Sequence, residues 1–148
     1  LQEATLVRAR ELGSRDLEAS VLGALSEYAV DDGRVGDAVM LAAAAIRLGL
    51  DWGNPQGIVT DVCKGAATLV AAGQFEVAVQ LVASATAWAE EMGSRPLPYL
   101  AVLNERTLDS CRQELGQEAF DTAWLAGRKL NLVKAAELAL EILDGATK

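Results

Sequence analysis

Apolar residues return every three or four positions along almost the whole chain, the period of one helix face rather than of a strand. Glycine-rich breaks separate these stripes. Glu3 to Leu12 reads as a first helix stopped by Gly13. Ser14 is a capping residue for a second, with Leu17, Val21, Ala24, Leu25 and Tyr28 on its inner face and Asp31, Asp32 and Gly33 at its end. A third runs from Asp37 to Leu48, with Ala38, Leu41, Ala42, Ala45 and Ile46 inward, and "GLDWGNP" breaks it. Pro55 suits the first turn of a fourth, which buries Ile58, Val62, Ala66 and Leu69 and ends near Ala72 and Gly73. Phe75 to Met92 carries the cleanest stripe: Val77, Ala78, Leu81, Val82, Ala85, Trp88, Ala89 and Met92. Leu97 to Leu115 follows with Leu100, Leu103, Leu108 and Cys111. A short helix lies between Gly116 and Gly127, and Asn131 caps a last one with Leu132, Ala136, Leu140 and Leu143 inward, before Gly145. The pattern predicts an all-α domain of about eight helices, with short connections that make successive helices antiparallel neighbours.

The breaks also repeat. "DGRVGDAV" (Asp32 to Val39) is matched 40 residues on by "AGQFEVAV" (Ala72 to Val79), and "LGSR" at Leu12 by "MGSR" at Met92. A two-helix unit cannot bury its apolar stripe alone, so such units stack. The spacing fits tetratricopeptide-like repeats, slightly stretched, and favours a solenoid of antiparallel helix pairs over an irregular bundle. The expected division is first repeats over 1–53, central repeats over 54–115 and capping helices over 116–148.

Composition narrows the function. The chain has 148 residues, 51% hydrophobic and 5% aromatic, which suits closely packed helices. Its net charge is −8, with basic residues outnumbered 13 to 21 and scattered, so it is not expected to bind nucleic acid directly. No apolar run is long enough to suggest a membrane span. Cys63 and Cys111 fall in apolar stretches without a CxxC pair and read as buried, reduced core residues, in a cytoplasmic setting. A disulfide between them is not excluded by sequence. The chain opens at Leu1, already inside a helical pattern, and reads as part of a longer protein.

Catalytic chemistry has few carriers. There is no histidine, no phosphate-binding loop, no GxGxxG and no GxSxG. "DDG" at Asp31 to Gly33 lacks the other ligands of a calcium loop, and Glu90 and Glu91 point to different helix faces. Neither an enzyme activity, a metal nor a cofactor is expected. What remains is surface. In a two-helix solenoid the first helices line the concave side. Their polar positions Glu27, Asp61, Lys64, Asn104 and Arg106 are the candidate contacts for a partner or ligand, beside the ordinary reading of solvated side chains. Trp52, between two glycine breaks, either caps the repeat core or anchors a partner.

The stretch "LGQEAFDTAWLAGRKL" (Leu115 to Leu130) concentrates two aromatics, Phe120 and Trp124, on one helix face. It reads as a plug closing the C-terminal end of the stack, with Gly116 and Gly127 as helix stops and Arg128 and Lys129 at the helix C-terminus. This block carries a resemblance. Leu115-Gly116, Phe120, Ala123, Trp124, Gly127, Arg128 and Leu130, with "GQFEVAVQLVASATAWAEEMG" before and Leu132, Ala135, Ala139 and Leu140 after, are similar to the helical repeats near the C-terminus of large bacterial ATPase-linked, LuxR-type or cyclase-linked transcriptional regulators. Asn131 stands where that family has Ser or Thr, and Val133 and Lys134 where it has acids. The resemblance implies a domain that scaffolds a protein partner or a second copy of itself, or alternatively senses a small-molecule effector in its concave groove. An ATPase and a DNA-binding module would lie elsewhere in the full protein.

Overall fold

A computed structural model describes residues 2–146; Leu1, Thr147 and Lys148 lie outside the described residues. Eight α-helices and no strand occur among them: α1 (Gln2–Leu12), α2 (Arg15–Asp31), α3 (Val35–Trp52), α4 (Pro55–Ala71), α5 (Phe75–Glu91), α6 (Pro98–Leu115), α7 (Gln117–Arg128) and α8 (Leu132–Ala146). No helix among these residues is long and apolar enough to cross a membrane.

Local chemistry sets the ends. Ser14 accepts a hydrogen bond from the Leu17 N–H, Asn54 from Gln56 and Asn131 from Lys134, and Pro55 opens α4. Left-handed glycines stand at 13, 33, 53, 73 and 93, one every 20 residues. At four of these turns the N–H after the glycine bonds back into the last helical turn: Ser14 to Ala9, Arg34 to Ala29, Gln74 to Leu69 and Ser94 to Ala89. This is the Schellman closure, and with α2 to α5 each 17 or 18 residues long, every helix and turn from Ser14 to Gly93 spans 20 residues. The 40-residue sequence repeat is therefore two such units. The period lapses after Gly93, where the next left-handed glycine is Gly116.

The helices form two layers. The first helices α2, α4 and α6 pack side by side, α2 on α4 and α4 on α6. Behind them α3 packs on α2 and α4, and α5 on α4 and α6. Helix α7 packs mainly across α5 and also meets α6, while α8 turns back to lie on α3, α4 and α5 at once. Leu132, Ala135, Ala136, Ala139 and Leu143 of α8 are all buried in the common core. Ser84 on α5 donates 2.9 Å to the Leu130 carbonyl in the α7–α8 turn, and Arg47 on α3 pairs with Asp144 on α8.

Several expectations shift. Helix α2 does not bury Leu17 and Tyr28, which are 39% and 52% exposed; its inner face is Ala19, Val21, Leu22, Gly23, Ser26 and Ala29. The small residues of this face let α2 approach α3 and α4 closely, and the larger side chains are left outside. Helix α3 does not stop at Leu48 but continues through a buried Gly49 to Trp52. Met92 caps α5 and is exposed, and α8 continues past Gly145. Cys63 and Cys111 are both buried and free. Burial pushes each thiol up to about 11, away from reactivity.

Gly127 is not a helix stop either. It lies within α7, against the backbone of α5: a Cβ there would fall 2.4 Å from the Gln80 carbonyl oxygen and 2.5 Å from its Cα. Phe120 and Trp124 flank this crossing, with ring centroids 6.3 Å apart and planes within 10°. The Arg112 guanidinium lies over the Phe120 ring at 4.6 Å. Phe120 is buried, whereas Trp124 is half-buried. Trp124→Ala is thus expected to destabilise by about 2 kcal/mol, below the range for a fully buried large ring. Urea unfolding monitored by circular dichroism checks this; a loss under about 0.5 kcal/mol would show that the indole contributes little to the fold.

Candidate functional site

Three of the six sequence candidates converge. Glu27 and Tyr28 on α2, Lys64 and Thr68 on α4, and Arg106 on α6 line one groove of 480 Å³ across the first helices. Ala24, Val70 and Leu103 supply apolar wall between them.

Lys64 is the unusual member. It is only 8% exposed, yet carries a cation. Gly23 makes this possible: a Cβ there would sit 3.0 Å from Lys64 Cδ and 3.2 Å from its Nζ, so the aliphatic stem runs across bare α2 backbone. The ammonium has Glu27 Oε2 at 4.0 Å and the Tyr99 ring centroid at 5.6 Å. Both are long contacts, and no acceptor lies within hydrogen-bonding distance among the described residues. A nearly buried ammonium is stable when paired and hydrogen-bonded. Here it retains donors directed at the groove.

Asp61, one turn earlier on α4, is 5% exposed and does not face the groove. Its Oδ2 lies where a side chain at Gly49 would be, 2.8 Å from the ideal Cβ position, and has no hydrogen-bond partner. Desolvation raises its pKa to about 7 against the opposing pull of Lys64, and Asp16 adds to the rise. The surface role expected for Asp61 is corrected on this point, since it is an interior group beside Gly49, whereas Lys64 lines the groove with its stem buried against Gly23.

Asn104 belongs to a second site. It lies on α6, and its Nδ2 donates to Cys63 Sγ at 3.4 Å while its Oδ1 is buried without a partner. It lines a cavity of 270 Å³ between α4, α5, the 94–97 segment and the start of α6. Trp52 joins neither site. It is the last residue of α3, not a loop residue, and is 55% exposed outside the core.

Sequence reasoning missed Tyr99, which is exposed at the start of α6 and stacks over Lys64, and missed the 94–97 segment as a cavity wall. "GSRPLP" signals a break, but nothing local signals what the break covers. Among the described residues no group of three His, Cys, Asp or Glu side chains is placed to hold a metal ion. Compared with known proteins, the chain matches no family, no curated protein and no solved structure.

Proposed function

We propose that this chain is a non-enzymatic interaction domain that holds a segment of a protein partner along the α2–α4–α6 groove. The observation that carries the reading is Lys64, whose stem is buried against Gly23 while its ammonium lines the groove with no acceptor nearer than Glu27 Oε2 at 4.0 Å. A carboxylate from a bound segment would complete its shell, and Arg106 at the groove edge would assist. The net charge of −8 opposes a strongly acidic partner. The fitting occupant is a mostly apolar segment with a single acid, its apolar side chains lying on Tyr28, Val70 and Leu103. The cytoplasmic setting rests on the two free cysteines, and the place in a bacterial signal-transduction or transcriptional regulator rests only on the resemblance over Gly73 to Leu140.

Selection from a random displayed-peptide library tests this. Selected peptides should share one acidic residue among apolar ones and should perturb the amide resonances of α2, α4 and α6. Tyr28→Ala and Arg106→Glu, both exposed and compatible with the fold, should each weaken binding about tenfold, equivalent to about 1.4 kcal/mol. Peptides that map to another face, or that bind these variants unchanged, would refute the groove as the recognition surface.

A further inference from the structure

Asp61 and Lys64 lie one turn apart on α4 and are turned toward different neighbours. Asp61 Oδ2 is pressed toward Gly49 on α3, buried and without a hydrogen-bond partner. The Lys64 stem crosses Gly23 on α2 and carries its ammonium to the groove, where its ion pair is with Glu27. The two charges make no direct ion pair, yet they share an interior in which water and salt screen weakly.

The surroundings of Asp61 hold few other charges. On α4 itself Lys64 favours its ionised form, and from α2 Asp16 opposes it. Helix α3 meets it at uncharged Gly49, and no charge from α5 or α8 among the described residues acts on it. Tyr99 from α6 and Cys63 also interact with it, but burial raises the Tyr99 phenol and holds the Cys63 thiol at about 11, so both stay neutral near pH 7. The chain has no histidine, the side chain that ordinarily titrates between about pH 5 and 8. Asp61, raised to about 7, occupies that window instead.

A carboxylate deprived of water keeps its charge only with outside help, and here the help comes from Lys64. A peptide carboxylate at the Lys64 ammonium would offset that cation and bring a second negative charge close by. Both effects favour a proton on Asp61. We propose that Asp61 is a proton-operated control on the groove: an acid-bearing segment bound at Lys64 draws a proton from solvent onto Asp61, and acidification in turn tightens the hold on that segment. The two halves of this statement are one coupling seen from its two sites. The inference rests on the groove as the peptide site. Asp61 itself touches no part of the peptide and acts through Lys64.

The probe is the tightest groove binder from the random peptide library, capped at both ends, free of histidine and with glutamate as its one acid; its twin carries glutamine there. Affinities are measured by fluorescence anisotropy between about pH 5.5 and 8.5, where the peptide glutamate stays ionised. The glutamate peptide should bind about tenfold more tightly at the acid end, the size of a one-unit rise in the Asp61 pKa on binding. Its glutamine twin should bind with a flat profile. Asp61→Asn should bind the glutamate peptide at every pH as the parent does at the acid end. Lys64→Met, which keeps an unbranched stem against Gly23, should flatten the profile. In that variant without peptide, the Asp61 carboxyl carbon followed by NMR should titrate at higher pH than in the parent. A flat profile for a glutamate peptide that still maps to the groove would overturn the control and leave the groove standing. A profile that persists in Asp61→Asn, tighter binding at the alkaline end, or an Asp61 titration unmoved in Lys64→Met would overturn it equally. Peptides that map to another face would overturn both readings.

Discussion

Gly127→Ala is expected to destabilise the domain by about 3 kcal/mol or more, against the usual gain from alanine in a helix. The two effects have opposite signs and known sizes. Alanine is favoured over glycine by about 1 kcal/mol in a helix interior. Overfilling a tight contact costs about 1–3 kcal/mol, and more where backbone must move. Here the added Cβ meets backbone at 2.4 and 2.5 Å and the Ala83 Cβ at 2.8 Å, so no side-chain rotation relieves it. Helix α7 must lift from α5 and carry Phe120 and Trp124 with it. The overlap term wins. Gly36→Ala is the control, because Gly36 lies in the first turn of α3 with nothing within 4 Å of its Cβ position. It should stabilise by about 0.5–1 kcal/mol. In thermal unfolding at this chain length, 3 kcal/mol corresponds to a drop of about 6–12 °C. If both variants melt above the parent, the α5–α7 crossing is looser than described.

Asp61 produces the second large effect, through pH. Its pKa is raised from 3.8 to about 7 in the folded chain, chiefly by desolvation. The folded state therefore holds this proton more tightly than the unfolded state does. The associated stability is fully present below pH 3.8 and is lost as pH rises through 7. The full loss is about 4 kcal/mol, a large share of the 5–15 kcal/mol typical of a domain. Asp61→Asn removes the titration while keeping the shape. It should be more stable than the parent by about 2–4 kcal/mol at pH 8, with the difference shrinking toward pH 4. Paired urea unfolding curves across this range check it. A difference that is flat with pH, or that grows on acidification, would mean that Asp61 is ionised and satisfied in the folded chain.

The helices themselves were legible because each has its own stripe, and the left-handed glycines fall on the breaks that separate the stripes. Helix α4 buries Ile58, Val62, Ala66 and Leu69 as its spacing predicts. What sequence reading missed comes from contacts between distant segments. The inner face of α2 was misread because hydrophobicity favours Leu17 and Tyr28, whereas close approach to α3 favours alanine, glycine and serine. Gly49 and Gly127 near helix ends look like stops, and only the neighbouring helix reveals them as crossing points. Lys64 and Asp61 read as surface charges because the residues that admit them, Gly23 and Gly49, belong to other helices. The groove was half visible: Glu27, Lys64 and Arg106, named from the first helices, line it together. The cavity at Asn104 was not visible, since its walls come from three helices and a break.

The return of α8 onto α3, α4 and α5 also has a meaning in time. A simple stack of helix pairs becomes complete pair by pair as the chain is made. Here the back of the first two pairs stays uncovered until a helix encoded much later arrives. Roughly 55 residues separate Glu91, the end of α5, from Ala146, the end of α8. At synthesis rates of about 5–20 residues per second, that leaves an apolar surface open for about 3–11 seconds on every nascent chain. For that interval the growing polypeptide is a client for any chaperone at the ribosome, and its vulnerability is set by the order of its helices rather than by the stability of the finished fold.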